Sequence, residues 1–190
     1  MQVIEQYSYI RNTKYVYTMN LHVVAYPQLS QADYELIQAC RKEHNSLYSI
    51  IEPHFTLVFS VPDMEAADFI GEVRKRAEGF GPIDFTFRCA IITPDVISGY
   101  YDAFLVPDEG FSKVVRLHDS LYSGLLAPHH RLDIAYTPHL SIAASPDVHK
   151  IKKIVDSWNE KEFAIKGTIS TLDIINYENR VISTIEQVVL

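Results

Sequence analysis

The sequence is poor in features that mark secreted, membrane-bound or metal-binding proteins. It has two cysteines, Cys40 and Cys89, which lie in predicted helices or strands and form no C-x-x-C pair, so we expect buried, reduced thiols. No apolar run approaches the roughly 18 residues of a membrane span. The N-terminus has neither a basic segment nor an apolar one after it. We therefore expect a cytoplasmic protein that does not bind membranes.

Positive charge is also scarce. The 190 residues include 17 Lys and Arg against 24 Asp and Glu, a formal net charge of −7. Binding to duplex DNA depends on neutralising many phosphates, so this balance argues against it. Small nucleotides and RNA ends held in a local cleft remain suitable partners. With 47% hydrophobic and 22% charged residues, the composition is that of a globular protein with a substantial core.

One short pattern occurs twice, as Pro53-His54-Phe55-Thr56-Leu57 and as Pro138-His139-Leu140-Ser141-Ile142. Both copies lie in apolar runs that predict strands, near residues 50–60 and 138–144. Side chains alternate along a strand, so each histidine shares a face with the hydroxyl two residues later, about 7 Å away. The apolar residues lie on the opposite face, where they can pack in a core.

Two paired imidazoles suggest acid/base chemistry. With an ordinary pKa near 6.5, one imidazole can accept a proton while the other donates one. His54 and His139 are therefore predicted to be catalytic, with no metal required. The hydroxyls of Thr56 and Ser141 are predicted to bind the phosphate oxygens of a phosphodiester and stabilise the charge that develops there.

At these motifs the sequence resembles the 2H phosphoesterases, a family defined by two His-x-Thr/Ser-x motifs. It is most similar to the branch of 2′-5′ RNA ligase-like proteins and RNA 2′,3′-cyclic phosphodiesterases. The order and spacing of predicted elements extend the resemblance from about Leu21 to the C-terminus. Ser141 stands where threonine is commoner, and it keeps the hydroxyl. The resemblance implies an RNA-processing hydrolase without a cofactor, with 2′-5′ ligation as the reverse reaction.

The hydrophobic periodicity predicts an α+β fold. Helices are expected from Ser30, an N-cap, to about Asn45, from Asp63 to before Gly79, from Glu109 to about Leu126, and after an N-cap at Ser145. Besides the two motif strands, strands are expected near residues 20–26, 83–93, 100–106, 162–175 and 181–189.

The order of predicted elements repeats, which indicates a duplicated unit in a single bilobal domain. The expected halves are about 18–106 and 107–190, after a tyrosine-rich extension at 1–17. We expect two pseudo-symmetric lobes, each an antiparallel sheet with helices on its outer face. The two motif strands would then meet at a central cleft.

Further side chains are weaker candidates for that cleft. They are His22, Tyr26, His130, Arg131 and Tyr136. His22 and Tyr26 share a strand face, although a surface or core position is the simpler interpretation for His22. His130 and Arg131 precede the second motif and could close over a phosphate, with a solvated loop as the alternative. Tyr26 or Tyr136 could stack on a base.

The predicted function is hydrolysis of 2′,3′-cyclic phosphate or 2′-5′ linked nucleotides or RNA ends, with a bell-shaped pH profile near neutrality. The alternative is a nucleotide-binding module with little or no turnover. A metal hydrolase using His22, His54 and His139 would lack a local carboxylate or a His-x-x-x-His pair.

His118 lies on the apolar side of its helix, which predicts a buried histidine with a partner. The natural substrate, the role of each histidine and the oligomeric state stay open.

Overall fold

The computed structural model describes residues 19–96 and 98–190, so the predicted tyrosine-rich extension lies outside the described residues. Within them, the helices are α1 (Gln31–His44), α2 (Ala66–Ala77), α3 (Phe111–Leu121) and α4 (Val148–Asn159), with a 3-10 segment at Gly124–His129. The strands are β1 (Leu21–Ala25), β2 (Gln28–Leu29), β3 (Phe55–Val61), β4 (Ile83–Pro94), β5 (Tyr101–Glu109), β6 (Leu140–Ser145), β7 (Ile165–Ile169), β8 (Thr171–Glu178) and β9 (Val181–Val189).

The strands form two antiparallel sheets, in the orders β3-β1-β8-β9 and β2-β7-β4-β5-β6. Helix α2 packs on the four-stranded sheet, α1 and α4 pack on the five-stranded one, and α3 contacts strands of both. The predicted α+β fold with two lobes is confirmed. Each motif strand, β3 or β6, is an edge strand of its sheet. The two motifs can therefore face each other across the boundary between the lobes.

Each sheet takes strands from both ends of the chain. In the four-stranded sheet, β1 lies between β3 and the C-terminal β8. In the five-stranded sheet, β4 and β5 pair with the later strands β7 and β6. The expected halves, 18–106 and 107–190, thus contribute to both sheets. Neither half contains all the strands of one lobe.

An aromatic cluster joins the two sheets behind the first motif. Phe55 of β3 lies 5.1 Å from Phe85 and 5.8 Å from Phe87 of β4, between ring centroids. All three side chains are buried. Aromatic pairs of this kind contribute about 0.5–1.5 kcal/mol each beyond the area that they bury. The alternation predicted for the motif strand is therefore present, with Phe55 fixed in the core and His54 and Thr56 on the other face.

Local hydrogen bonds explain which helix starts are predicted well. The Ser30 hydroxyl accepts a hydrogen bond from the Asp33 N–H, as the predicted N-cap requires. The prediction for Ser145 is wrong, because Ser145 ends β6 and Asp147 caps α4 through the N–H groups of His149 and Lys150. The Ser145 hydroxyl instead accepts from the Asp147 N–H.

Other boundaries move because of backbone conformation. Asp63 has φ of 64° and lies before α2, which begins at Ala66. Gly110, with φ of 83°, separates β5 from α3, so the helix predicted from Glu109 begins at Phe111. That helix ends at Leu121, and the following 3-10 segment leaves Leu125 exposed. The single strand predicted at 162–175 is two strands, β7 and β8, with Ser170 between them.

Both cysteines are free thiols, as predicted, but their environments differ. Cys40 on α1 is partly buried, and burial raises the pKa of its thiol. Cys89 on β4 is exposed, so the expected burial is wrong for this residue. The pairing of β4 with β5 is irregular between Phe87 and Cys89, and Arg88 and Cys89 are both exposed at this irregularity.

Candidate active site

The two motif histidines have equivalent positions and equivalent hydrogen bonds. His54 comes directly before β3 and His139 directly before β6. Nδ1 of His54 lies 2.7 Å from the Glu52 carbonyl oxygen, and Nδ1 of His139 lies 2.6 Å from that of Thr137. A carbonyl can only accept, so each Nδ1 carries the proton. Nε2 of each imidazole is therefore the nitrogen left for chemistry.

Both motifs line one cleft of about 710 Å³. It contains the two histidines and the two predicted phosphate-binding hydroxyls, which are His54, Thr56, His139 and Ser141. A volume of this size is typical of a site for a small organic ligand. The four side chains predicted from the motifs are thus brought together by the fold, two from each lobe.

Burial lowers the pKa of both catalytic candidates to about 4. The carbonyl bonds of Nδ1 favour the imidazolium and offset part of this effect. The positive charge of Arg41 lowers the pKa of His54 further, and so does His139 when it is protonated. The His139 ring is stacked on Phe104, with centroids 3.6 Å apart and planes at 11°. In the free protein at neutral pH both imidazoles are therefore uncharged.

Two of the weaker candidates, His22 on β1 and Tyr26 directly after it, do not line the cleft. Tyr26 contacts His54 edge to face, with ring centroids 6.2 Å apart. Burial and nearby carboxylates raise the pKa of Tyr26 to about 12, so it remains protonated. His22 packs edge to face with Tyr177, and burial lowers its pKa. Of the two rings, that of Tyr26 is the one in contact with His54.

The weaker candidates from the loop before β6 have different positions. His130 is stacked on Tyr122, with ring centroids 4.6 Å apart. Arg131 is exposed and pairs with Asp133 through hydrogen bonds of 2.8 and 2.7 Å. The structure thus places His130 and Arg131 outside the lining of the cleft, whereas Tyr136 lines it.

Two tyrosines hold the outer edge of β3. The Tyr136 hydroxyl lies 3.1 Å from the Thr56 carbonyl oxygen and donates to it. The Phe59 N–H donates to the Tyr122 hydroxyl at 2.8 Å. An edge strand has backbone groups without partners in the sheet, and these bonds satisfy two of them beside the motif. The sequence alone did not predict this support, since the partners are far apart in the chain.

A separate group behind β3 has the composition of a metal site. Three potential ligand atoms lie within 4.8 Å of one another, one each from His118, Asp119 and His130. His118 is buried, as predicted, and its Nδ1 lies 3.0 Å from a carboxylate oxygen of Asp119. Its ring is stacked on Tyr136, with centroids 3.5 Å apart. The group is therefore next to the support of β3 and does not include His54 or His139.

The C-terminal end of α1 also lines the cleft, and the sequence analysis missed it. Arg41 is 2% exposed, and its Nη2 donates to the Ile51 carbonyl at 2.5 Å. The side-chain amide of Asn45 lies 3.4 Å from the Ser141 hydroxyl. The signal that could have found Arg41 is its position four residues after Ile37, on the buried face of α1.

Part of the cleft lining is acidic. Carboxylates of Asp95, Asp102 and Asp133 line it together with Tyr100 and Phe104. Burial, and then the charge of Asp95, raise the pKa of Asp102 to about 6. An anionic group on a ligand is therefore disfavoured at this wall, and groups that donate hydrogen bonds are favoured.

Comparisons with known proteins agree with this geometry. A family model described as the 2′-5′ RNA ligase superfamily matches residues 27–180. The chain is 27% identical over 135 residues to a protein of Bacillus pumilus named "Putative phosphoesterase", covering 69% of this chain and 74% of that protein.

Two solved structures share the fold at low sequence identity. TT0787 of Thermus thermophilus is 15% identical with a TM-score of 0.63, over 90% of this chain and 98% of that one. E. coli LigT complexed with 3′-AMP is 12% identical with a TM-score of 0.56, over 91% and 98%. None of the helices among the described residues is long and apolar enough to cross a membrane. The chain belongs to the 2′-5′ RNA ligase superfamily, which confirms the resemblance to 2H phosphoesterases inferred from its two motifs.

Proposed function

We propose that the protein is a cytoplasmic, metal-independent phosphodiesterase that hydrolyses 2′,3′-cyclic phosphate or 2′-5′ linked nucleotides or RNA ends. The observation that carries this proposal is the matched pair of imidazoles in one cleft. His54 and His139 each use Nδ1 for a backbone carbonyl and keep Nε2 for the ligand. The family assignment supports phosphoesterase chemistry, and the two imidazoles are the proposed acid and base.

In this mechanism one Nε2 accepts a proton from water as the water oxygen attacks phosphorus. The bond from phosphorus to one ribose oxygen breaks, and the other histidine protonates that oxygen. A phosphomonoester and a free ribose hydroxyl result. The hydroxyls of Thr56 and Ser141 donate to the non-bridging oxygens, where negative charge must be held. With a ribose hydroxyl in place of water as the nucleophile, the same groups would join that hydroxyl to a cyclic phosphate end as one ring P–O bond breaks and its oxygen is protonated.

The character of the cleft is consistent with a small nucleotide. Tyr100, Tyr136 and Phe104 supply aromatic surface, and residues with polar side chains, such as Asn45 and Thr93, also line the cleft. E. coli LigT, whose fold this chain shares, has been solved with 3′-AMP. A ribonucleotide with one phosphate is the same type of molecule as the product expected here.

The proposal is tested by assaying 2′,3′-cyclic nucleotides and 2′-5′ linked dinucleotides with EDTA present. His54→Ala or His139→Ala should lower turnover at least about 100-fold, the usual scale for losing an acid/base group. His149→Ala, an exposed change on α4, is the matched histidine control. Full activity in His54→Ala, or loss of activity with EDTA that metal restores, would contradict the mechanism.

One observation favours a second candidate, a nucleotide-binding module with little turnover. With both histidine pKa values near 4, the free protein has no imidazolium at pH 7 to act as the acid. Saturable binding of 3′-AMP without turnover of any phosphodiester would select this alternative. The phosphodiesterase instead requires that a bound phosphate raise one of these pKa values, which is directly measurable.

A further inference from the structure

The guanidinium of Arg41 is a buried charge with an incomplete set of partners. Its side chain is 2% exposed. Nη1 donates to the Gln38 side-chain oxygen at 2.6 Å and Nη2 to the Ile51 carbonyl, but Nε has no hydrogen-bond partner in the described part of the chain. Both of its acceptors are neutral. Burying a cation without a counter-ion is costly, so the site favours an anion nearby.

The acid beside Arg41 is engaged elsewhere. The Glu52 carboxylate accepts hydrogen bonds from the Tyr34 hydroxyl at 2.5 Å and from the Gln38 amide at 2.8 Å. Among the described residues, no carboxylate oxygen forms a salt bridge with Arg41. Burial lowers the pKa of Arg41, and the charge of Glu52 only partly opposes this. The positive charge is thus held in place without being neutralised by a direct contact.

Arg41 also has a distinct position in the cleft. Of the lysines and arginines among residues 19–96 and 98–190, it is the one that lines the cleft. Asn45, one helical turn later, brings its amide within 3.4 Å of the Ser141 hydroxyl. A phosphodiester carries a full negative charge, which neutral hydroxyls alone do not balance.

We propose that Arg41 and Asn45 form the subsite that holds the phosphate anion, beside the motif hydroxyls Thr56 and Ser141. This inference rests on the proposed function and assigns the source of positive charge for its substrate. The ligand class is a ribonucleotide with one phosphate at the reacting position. A polyphosphate is disfavoured, because further negative charge would meet Asp95 and Asp102.

The competing explanation is that Arg41 only ties α1 to the segment before His54. Three variants separate the two roles. Arg41→Met removes the charge, Arg41→Lys keeps it on a different donor geometry, and Lys42→Met removes one exposed charge from the next position as a matched control. Calorimetric titrations with 3′-AMP and with adenosine measure binding with and without the phosphate. Circular dichroism checks that each variant is folded.

We expect Arg41→Met to weaken 3′-AMP binding roughly 10- to 100-fold, the range for a charged hydrogen bond, and to leave adenosine binding unchanged. Arg41→Lys should retain most of the 3′-AMP affinity, and Lys42→Met should bind as the unchanged protein does. Because the Arg41 charge lowers the pKa of His54, Arg41→Met should also raise that pKa in an NMR titration. If Arg41→Met is unfolded, the 3′-AMP affinity of Arg41→Lys and the salt dependence of 3′-AMP binding distinguish the phosphate-binding role from the structural one.

Equal loss of 3′-AMP and adenosine binding in Arg41→Met would show a structural role and overturn the inference. So would unchanged 3′-AMP affinity, or loss of it in a folded Arg41→Lys. These results are separable from those for the proposed function. Binding that depends on Arg41 without any turnover would refute the phosphodiesterase and keep the subsite. Turnover that depends on His54, with 3′-AMP binding independent of Arg41, would support the phosphodiesterase and refute the subsite.

Discussion

Phosphate binding is expected to switch the protonation state of the two histidines proposed as acid and base. Burial lowers the pKa of His54 and His139 to about 4 in the free protein. Compared with 6.5, this corresponds to about 3 kcal/mol against each imidazolium. At pH 7 roughly one free molecule in a thousand would carry a proton on a given histidine. The acid needed for catalysis is then almost absent before substrate arrives.

A bound phosphate can restore that acid. A negative charge about 4 Å from an imidazolium, at an effective dielectric constant near 20, stabilises it by about 4 kcal/mol. This exceeds the cost of burial, so the pKa of one histidine should return to near neutrality in the complex. We therefore expect kcat to follow a bell with its acidic limb near pH 4 and its basic limb near neutrality, while kcat/KM declines as the pH rises above about 4. Of the bell near neutrality predicted from the sequence, only the basic limb of kcat would then lie near neutrality.

NMR titration of the imidazole carbons, with and without saturating 3′-AMP, measures these values directly. His54→Ala and His139→Ala assign the two resonances, and kcat and kcat/KM for a 2′,3′-cyclic nucleotide are followed over about pH 4 to 8. Free-protein pKa values near 6.5 for both histidines would refute the argument from burial. Values that stay near 4 with 3′-AMP bound would refute the role of the phosphate.

Three further outcomes follow from the same structure. The folded-state pKa of His139 lies below its unfolded value, so unfolded chains bind more protons than folded ones between about pH 4 and 6.5. Urea denaturation should therefore show that the free energy of unfolding falls as the pH falls through that window. The fall should be less steep in His139→Gln. Tyr136→Phe removes the bond to the Thr56 carbonyl and should lower the free energy of unfolding by about 1 kcal/mol, together with kcat; an unchanged kcat would show that Thr56 needs no such support. Gly110→Ala should lower stability by at least about 1–3 kcal/mol, because its Cβ would lie 2.5 Å from a carbonyl oxygen of β4 at a φ of 83°. Gly71→Ala, in an open position on α2, is the control and should not lower Tm.

Features of the fold set by neighbouring residues were predictable from the sequence. The cap at Ser30 involves a side chain and a backbone group three residues apart, and the motif alternation needs only the two-residue period of a strand. The prediction at Ser145 is wrong because β6 continues to that residue, so Asp147 becomes the cap. Competition between a strand end and a helix start is decided by pairing with β5, which lies far away in the chain.

The residues of the candidate site likewise include some that the sequence predicts and some that it does not. Repetition of a histidine and a hydroxyl predicted His54, Thr56, His139 and Ser141, because the chemistry is contained in each motif. Arg41 belongs to a helix whose position against β6 is a tertiary contact, and its local sequence resembles an ordinary helix end with basic residues. The weaker candidates Arg131 and His130 have partners in Asp133 and Tyr122. Loop pairings of this kind have no periodicity from which to predict them.

The interleaving of the two sheets has a consequence for synthesis on the ribosome. Val24 of β1 pairs with Asp173 of β8, so an early strand waits for one that is synthesised much later. Pairings over such sequence separations are slow to form, and β1 with β3 alone would be a two-stranded ribbon of marginal stability. A nascent chain whose β8 is still inside the ribosome therefore carries both histidine motifs without the four-stranded sheet that positions one of them. Catalytic competence should appear only after β8 has emerged, as a late and cooperative event.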